Sequence, residues 1–287
     1  MKKRSKYLSF ANLNGPVVLT GCADLRPVIE QVLRGWNVSP YEGPHQAEPL
    51  ITIEKSGNFY IRRSRWLSQP AGFEDPLDAV CDFLVDLSKA YLESNANMMC
   101  LHGAAAHFDH GLVVFPSTYR AGKSILSVEL ARRGIRLFSD DVLPIEHDRN
   151  FALAPGILPR LRLPLPTDMG GGFKSFVKSR PGAASDRFQY VGLHHHELAA
   201  LGEAAPISGI VLLDRDDAHG PELLPARASD VLKNIILRNF SRTIAATEVL
   251  DRLITISGQA DIGLLKYATV GQAADLLCER FGARKSA

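Results

Sequence analysis

The sequence lacks most of the features that would tie it to an extracellular, membrane or nucleic-acid role. Its four cysteines, Cys22, Cys81, Cys100 and Cys278, lie far apart and form no CxxC pair. That excludes a disulfide framework and zinc-finger spacing, and it fits a reducing cytosol. The longest apolar stretch, Met98 to Ala106, contains His102 and falls short of half a membrane span. The start, Met1-Lys2-Lys3-Arg4, is basic, but Ser9, Asn12 and Asn14 interrupt the stretch after it. A signal peptide needs a clean apolar run of roughly 7–15 residues. A cytoplasmic protein without a membrane partner is therefore expected. Charge is almost balanced, 33 basic against 31 acidic residues, so no nucleic-acid partner is expected and any basic site must be local. There is no GxSxG, GxGxxG or HExxH motif, no heptad pattern and no internal repeat. His194-His195-His196 cannot all face one metal from a regular element, and they read as an exposed loop.

What is present suits an α/β protein. The 287 residues allow two domains or one large one. Val17 to Thr20 and Leu50 to Glu54 look like strands, and Ser56-Gly57-Asn58 turns the chain into Phe59 to Arg62, a hairpin in which glycine supplies the positive φ. Asp75-Pro76 is a helix start, an N-cap followed by proline at the first helical position. The helix carries Leu77, Val80, Cys81, Leu84, Leu87, Tyr91 and Leu92 at helical spacing. Residues 1–95 are thus expected to form a small N-terminal α+β module. Residues 96–287 are expected to form the catalytic domain, a mixed-sheet core flanked by helices. Strands are expected at Met98 to His107, Leu112 to Phe115, Ile135 to Phe138, Val142 to Ile145, Ser208 to Leu213 and Leu264 to Ala268. Helices are expected near Ser229 to Asn239, Thr247 to Thr255 and Gln272 to Phe281.

The chemistry concentrates after Leu112. The strand Leu112 to Phe115 leads into Pro116-Ser117-Thr118-Tyr119-Arg120-Ala121-Gly122-Lys123-Ser124, and a helix follows that ends at Arg132-Arg133 with Gly134 as its terminator. This approaches the P-loop pattern GxxxxGK[ST], with Ser117 in place of the first glycine. Amide groups of such a loop and the helix N-terminus attract phosphate oxygens. Residues Ser117, Thr118, Tyr119, Arg120, Ala121, Gly122, Lys123 and Ser124 are the candidate nucleotide-binding set. In it Lys123 reaches the β- and γ-phosphates and the Ser124 hydroxyl ligates magnesium. Gly-Lys-Ser alone also fits a plain helix start with an exposed lysine. The strand before it, the helix after it and an acidic pair downstream favour phosphate. That pair, Asp140-Asp141, follows Lys123 by 17 residues, directly after a short apolar strand. Adjacent carboxylates at a strand end are costly unless solvated, paired with cations or bound to metal.

Leu101-His102-Gly103, the broken loop ending Gly122-Lys123-Ser124, Arg133-Gly134, Arg136-Leu137 and Asp140-Asp141 resemble the catalytic domain of HPr kinase/phosphorylase. The resemblance is densest over residues 101–146. Pro155 to Leu163, with Pro159-Arg160, resembles segments of stand-alone HPr-kinase-related proteins. The resemblance implies a P-loop core related in fold to phosphoenolpyruvate carboxykinase and an ATP- and magnesium-dependent kinase acting on a serine of a small protein. It also implies a homo-oligomer. It assigns His102 beside the phosphates and Lys123 to the phosphates, with Ser124 and one of the pair, taken as Asp141, on the metal. The other of Asp140 and Asp141 becomes the general base. The signature segment that supports phosphorylase activity in the family is missing, and residues 1–95 do not match its usual N-terminal domain.

Three readings stay open at this point: a kinase for a protein or peptide hydroxyl, a kinase for a small-molecule alcohol, and a nucleotide-binding module without catalysis, which Ser117 would suit. Residues 160–187 hold six basic against two acidic residues around Gly170-Gly171-Gly172. They fit either a flexible basic lid over the phosphates or a solvated loop. Arg238 and Arg242 lie four apart on an expected helix and so share a face. Arg238 is the candidate for a transition-state cation.

Overall fold

Gly57, at φ 60°, turns the chain between two strands that pair from Ser56↔Phe59 to Ile51↔Ser64. This is the hairpin expected from the sequence. In the computed structural model, which describes residues 5–44, 47–95, 97–116, 122–146, 148–215, 220–241 and 243–282, that hairpin belongs to a six-stranded sheet. Its strands are β1 (Ser5–Phe10), β2 (Val17–Thr20), β3 (Val38–Pro40), β4 (Ile51–Ser56), β5 (Phe59–Ser64) and β6 (Ala71–Phe73). They are arranged in the order β3-β1-β2-β4-β5-β6. Helix α1 (Leu25–Val32) buries Leu25, Ile29 and Val32, spaced four and three residues apart. Pro27 sits in its first turn, where the missing N–H has no partner to lose. Helix α2 (Pro76–Ser94) starts where expected: the Asp75 carboxylate accepts from the amides of Leu77 (2.7 Å) and Asp78 (3.1 Å).

A charged cluster lies between the sheet and α2. Arg62 on β5 is 2% exposed, and its guanidinium meets the carboxylates of Asp82 and Asp86, one turn apart on α2. Asp86 is fully buried and is also bound by Ser64 and by Lys89 at 3.1 Å. Burial pulls the Arg62 guanidinium below its usual value, and the Asp82 charge works against that pull.

The second sheet has nine strands: β7 (Met98–His102), β8 (Ala104–Phe108), β9 (Gly111–Phe115), β10 (Arg136–Ser139), β11 (Val142–Glu146), β12 (Phe151–Leu153), β15 (Ala204–Arg215), β16 (Glu222–Pro225) and β17 (Asp261–Tyr267). The long strand β15 is its spine. It pairs in parallel with β9 and β17, while its first residues pair antiparallel with β12, which leads to β11 and β7. A two-stranded ladder joins β13 (Arg160–Arg162) and β14 (Phe188–Tyr190). Around these lie α3 (Lys123–Arg132), α4 (Gly171–Ser179), α5 (Ala228–Arg238), α6 (Ala246–Gln259) and α7 (Val270–Phe281). The result is a mixed α/β architecture with seven helices among the described residues, none long and apolar enough to cross a membrane. One buried core is continuous from Phe10 and Phe83 to Phe115, Leu126 and Tyr267, and a second lies beneath α5 and α6.

Two expectations need correction. Met98 to His107 is not one strand, because Gly103 breaks it. A Cβ at Gly103 would stand 3.2 Å from the Phe115 carbonyl oxygen, and its amide donates to the Asp141 carbonyl instead of a neighbouring strand. Consequently β7 pairs with β11 and β8 pairs with β9 and β10. Gly170-Gly171-Gly172 opens a helix and is not a solvated loop. Phe173 and Val177, one turn apart, are buried and pack α4 towards α3, and that burial outweighs the low helix propensity of glycine.

Candidate functional site

The β9–α3 connection ends at Gly122, whose φ of +82° favours glycine. Space is tight as well, since a Cβ would stand 3.0 Å from the hydroxyl of the buried Tyr267. Residues Ser117, Thr118, Tyr119, Arg120 and Ala121 lie outside the described residues. The next residue, Lys123, is only 8% exposed. Burial pulls its ammonium below the usual value, while the charges of Asp141 and Asp140 favour keeping it charged and Arg238 opposes them. Lys123 is therefore a desolvated cation facing two carboxylates, not the exposed lysine of a plain helix start.

The carboxylates are held by the turn between β10 and β11. The pairing of β10 with β8 shifts register between Leu137 and Ser139, a bulge that re-aims the strand end. The fully buried Ser139 hydroxyl donates to the Val142 carbonyl at 2.6 Å, with the Gly103 carbonyl 3.3 Å away. With the Gly103 amide on the Asp141 carbonyl at 3.0 Å, this ties the turn that carries the pair to Gly103, between β7 and β8.

The two acids occupy different surroundings. Burial first and the Asp141 charge second push Asp140 up to about 6, while Ser124, Ser127 and the Arg160 amide draw it down. That amide donates to Oδ2 at 3.3 Å. Its Oδ1 is shielded from solvent and makes no hydrogen bond of normal geometry among the described residues. Asp141 goes the other way. Burial raises it, but the His102 hydrogen bond and the charges of His102, Lys123 and Arg160 bring it below the usual carboxylate range. Its side chain is 63% exposed, with Oδ1 2.8 Å from His102 Nε2. Two neighbouring carboxylates with opposite shifts are a familiar arrangement where protons are exchanged.

The structure therefore brings His102, Lys123, Ser124, Asp140 and Asp141 together, with Arg238 within electrostatic reach of Lys123. Arg238 ends α5, and its Nε has no hydrogen-bond partner among the described residues. Arg242 lies outside the described residues. Arg160, which the sequence placed in the basic stretch and in the Pro159-Arg160 resemblance but gave no role, lies here: its amide donates to Asp140 and its charge acts on Asp141. Three other cations of that stretch are engaged elsewhere. Arg180 pairs with the buried Glu197 at 2.7 Å, Arg187 pairs with Asp78, and Lys174 bonds the Thr167 carbonyl. His194, His195 and His196 form an exposed turn, as expected.

For a cation the available donors are hard oxygens: the Ser124 hydroxyl, the orphaned Asp140 Oδ1 and the Asp141 carboxylate. No cluster of three or more His, Cys, Asp or Glu suited to a metal occurs among the described residues. So short an oxygen set suits magnesium that keeps waters and takes further ligands from a phosphate.

The raised Asp140 value carries a stability consequence. A carboxyl whose folded value lies above its unfolded one favours folding at low pH, and that contribution is lost as pH rises through about 6. Asp140→Asn keeps the shape and removes the buried charge. Above pH 7, without nucleotide or divalent cation, it is expected to stabilise the fold by about 1–3 kcal/mol, with little difference at pH 4. Urea unfolding at both pH values checks this, and an asparagine variant less stable than wild type at pH 8 would contradict it.

No protein-family model matches the chain, and no curated protein does. Among solved structures it is similar to the Hpr(Ser) kinase/phosphatase from Coxiella burnetii at 13% identity and a TM-score of 0.31. The match covers 63% of this chain and 94% of that one. At that level of superposition the chemistry of the site rests on its own residues.

Proposed function

We propose that the chain is a phosphotransferase that moves the terminal phosphoryl group of ATP to a hydroxyl. One observation carries this reading: a desolvated lysine and a serine at the start of α3 face two carboxylates with opposite pKa shifts. A lysine at a helix N-terminus after a β-strand is suited to phosphate oxygens. In this reading residues 117–121 belong to the nucleotide-binding set with Gly122, Lys123 and Ser124. Arg238 and Arg160 add positive charge where negative charge develops.

Asp141 is the better base. It is ionised, accessible, and oriented by His102, so it can accept the acceptor's proton at an oxygen of its carboxylate. Asp140 and Ser124, which interact with each other, would hold magnesium, and this exchanges the metal and base roles that the resemblance assigned to the two carboxylates. When bound, magnesium would neutralise phosphate charge and orient the phosphates. The resemblance to HPr kinase/phosphorylase points to a serine acceptor, and the site chemistry itself requires only a hydroxyl.

The test is transfer of labelled γ-phosphoryl from ATP. Asp141→Asn, which keeps the hydrogen-bonding shape, is expected to lower turnover roughly 10²–10⁴-fold with a much smaller change in nucleotide affinity. Equal turnover by the two proteins would remove Asp141 from the chemistry.

A further inference from the structure

A cavity of about 430 Å³ opens beside the charged cluster, within the range that holds small molecules, roughly 300–1,000 Å³. Its described wall is built from three distant parts of the chain: α2, the β7–β11 pair, and the segment after α5. Val85, Leu92, Met98 and Phe240 supply hydrocarbon surface. The polar groups on that wall are already engaged. The Ser88 hydroxyl donates to the Leu84 carbonyl, and Glu93 binds Arg65 and the Trp66 indole. The Ser241 hydroxyl donates to Asn239 and accepts the Cys100 amide. Lys89, also on the wall, bonds the buried Asp86 at 3.1 Å, and His102 and Asp141 bring the candidate catalytic groups to the cavity. Asp141 is thus common to two places: it acts electrostatically with Lys123 and Arg160, and it lines the cavity.

From this junction we infer the acceptor's class: a small alcohol with a hydrocarbon body, which fills the cavity and presents its hydroxyl to Asp141. The inference rests on the phosphotransferase reading. A seryl segment fits less well, because each peptide unit brings an N–H and a C=O that need partners. The engaged polar groups of this wall offer them few. In the step, the acceptor oxygen bonds to the γ-phosphorus of ATP as the bond from that phosphorus to the bridging oxygen breaks. The hydroxyl proton passes to Asp141, and ADP leaves. Val85, 49% exposed on α2, stands at the edge of the cavity and is open to substitution without disturbing the core.

The test uses the full chain with magnesium, ATP and a series of straight-chain primary alcohols from ethanol to octanol, with glycerol and a seryl tetrapeptide as polar acceptors. ATP hydrolysis by water is followed in parallel. The account predicts that kcat/KM climbs roughly fourfold per added methylene, the value set by transfer of one CH2 from water, until the cavity is full. Glycerol and the peptide are expected at the foot of the series. Val85→Trp should flatten the dependence on chain length, and Phe240→Ala should move the optimum to longer alcohols, each variant keeping cooperative unfolding. If ATP is consumed but chain length has no effect, or the peptide is the best acceptor, the inference about the acceptor falls while the phosphotransferase reading stands. If no acceptor, water included, yields product, the phosphotransferase reading falls and the inference with it.

Discussion

Lys123→Ala is expected to abolish useful turnover and to weaken ATP binding at the same time. The lysine makes no surface contribution that could be replaced by water: it is almost fully buried, and its charge is maintained against desolvation by Asp140 and Asp141. A charge-assisted hydrogen bond to a phosphate contributes about 1.5–3 kcal/mol, which corresponds to a loss of affinity between tenfold and somewhat over a hundredfold. The effect on transfer should exceed this, because charge grows on the phosphate oxygens as the bond breaks. Removal of one such donor typically lowers kcat by roughly 10²–10³. Lys123→Arg is not a rescue, since the planar guanidinium needs more room than a buried lysine leaves. Calorimetric titration with ATP and magnesium measures the first effect and labelled transfer the second. Unchanged affinity in a folded variant would remove Lys123 from the phosphate site.

The second large effect concerns stability. Asp86→Ala is expected to destabilise the protein by about 3–5 kcal/mol, the cost typical of removing one partner from a buried ion pair. Among the described residues Arg62 would keep only Asp82 as an ion-pair partner, whose own side chain is 35% exposed, and would remain inside the interface between β5 and α2. Natural domains have only about 5–15 kcal/mol of stability in total, so such a loss should be visible as a much earlier urea midpoint. The damage should reach the cavity as well, since α2 carries Val85 and Leu92. Replacing both Arg62 and Asp86 by apolar residues of similar size should cost much less than Asp86→Ala alone. A single variant with wild-type stability would show that the buried charges are already compensated.

The features legible in the sequence are those encoded in a few adjacent residues. Asp75-Pro76 starts α2, Ser56-Gly57-Asn58 turns the hairpin, and Gly134 at φ 84° ends α3. Each depends on local backbone geometry, so each is visible locally. Lys123, Ser124, Asp140 and Asp141 could be singled out as candidates because phosphate chemistry restricts residue types at fixed spacing, and His102 only through the resemblance to a known family. Features set by distant contacts are not. Gly103 looks like one small residue in an apolar run, and only the approach of the Phe115 carbonyl makes it a break. The Gly170–Gly172 run looks like a loop until Phe173 and Val177 find a surface to cover. Arg160 lies 20 residues beyond Asp140 and meets it through a backbone amide, which carries no residue signature. The cavity wall, drawn from three separate stretches, has no sequence pattern at all.

The central claim is that the lysine of α3 and the acidic pair of the β10–β11 turn act as one phosphoryl-transfer site. The double-mutant cycle of Lys123→Ala and Asp141→Asn in labelled-phosphate transfer tests it most directly. Groups that act as a unit lose most of their effect with the first substitution. The double variant should therefore be hardly slower than the more damaged single one. If the two losses instead multiply in full, the residues serve independent sites, and the account is contradicted.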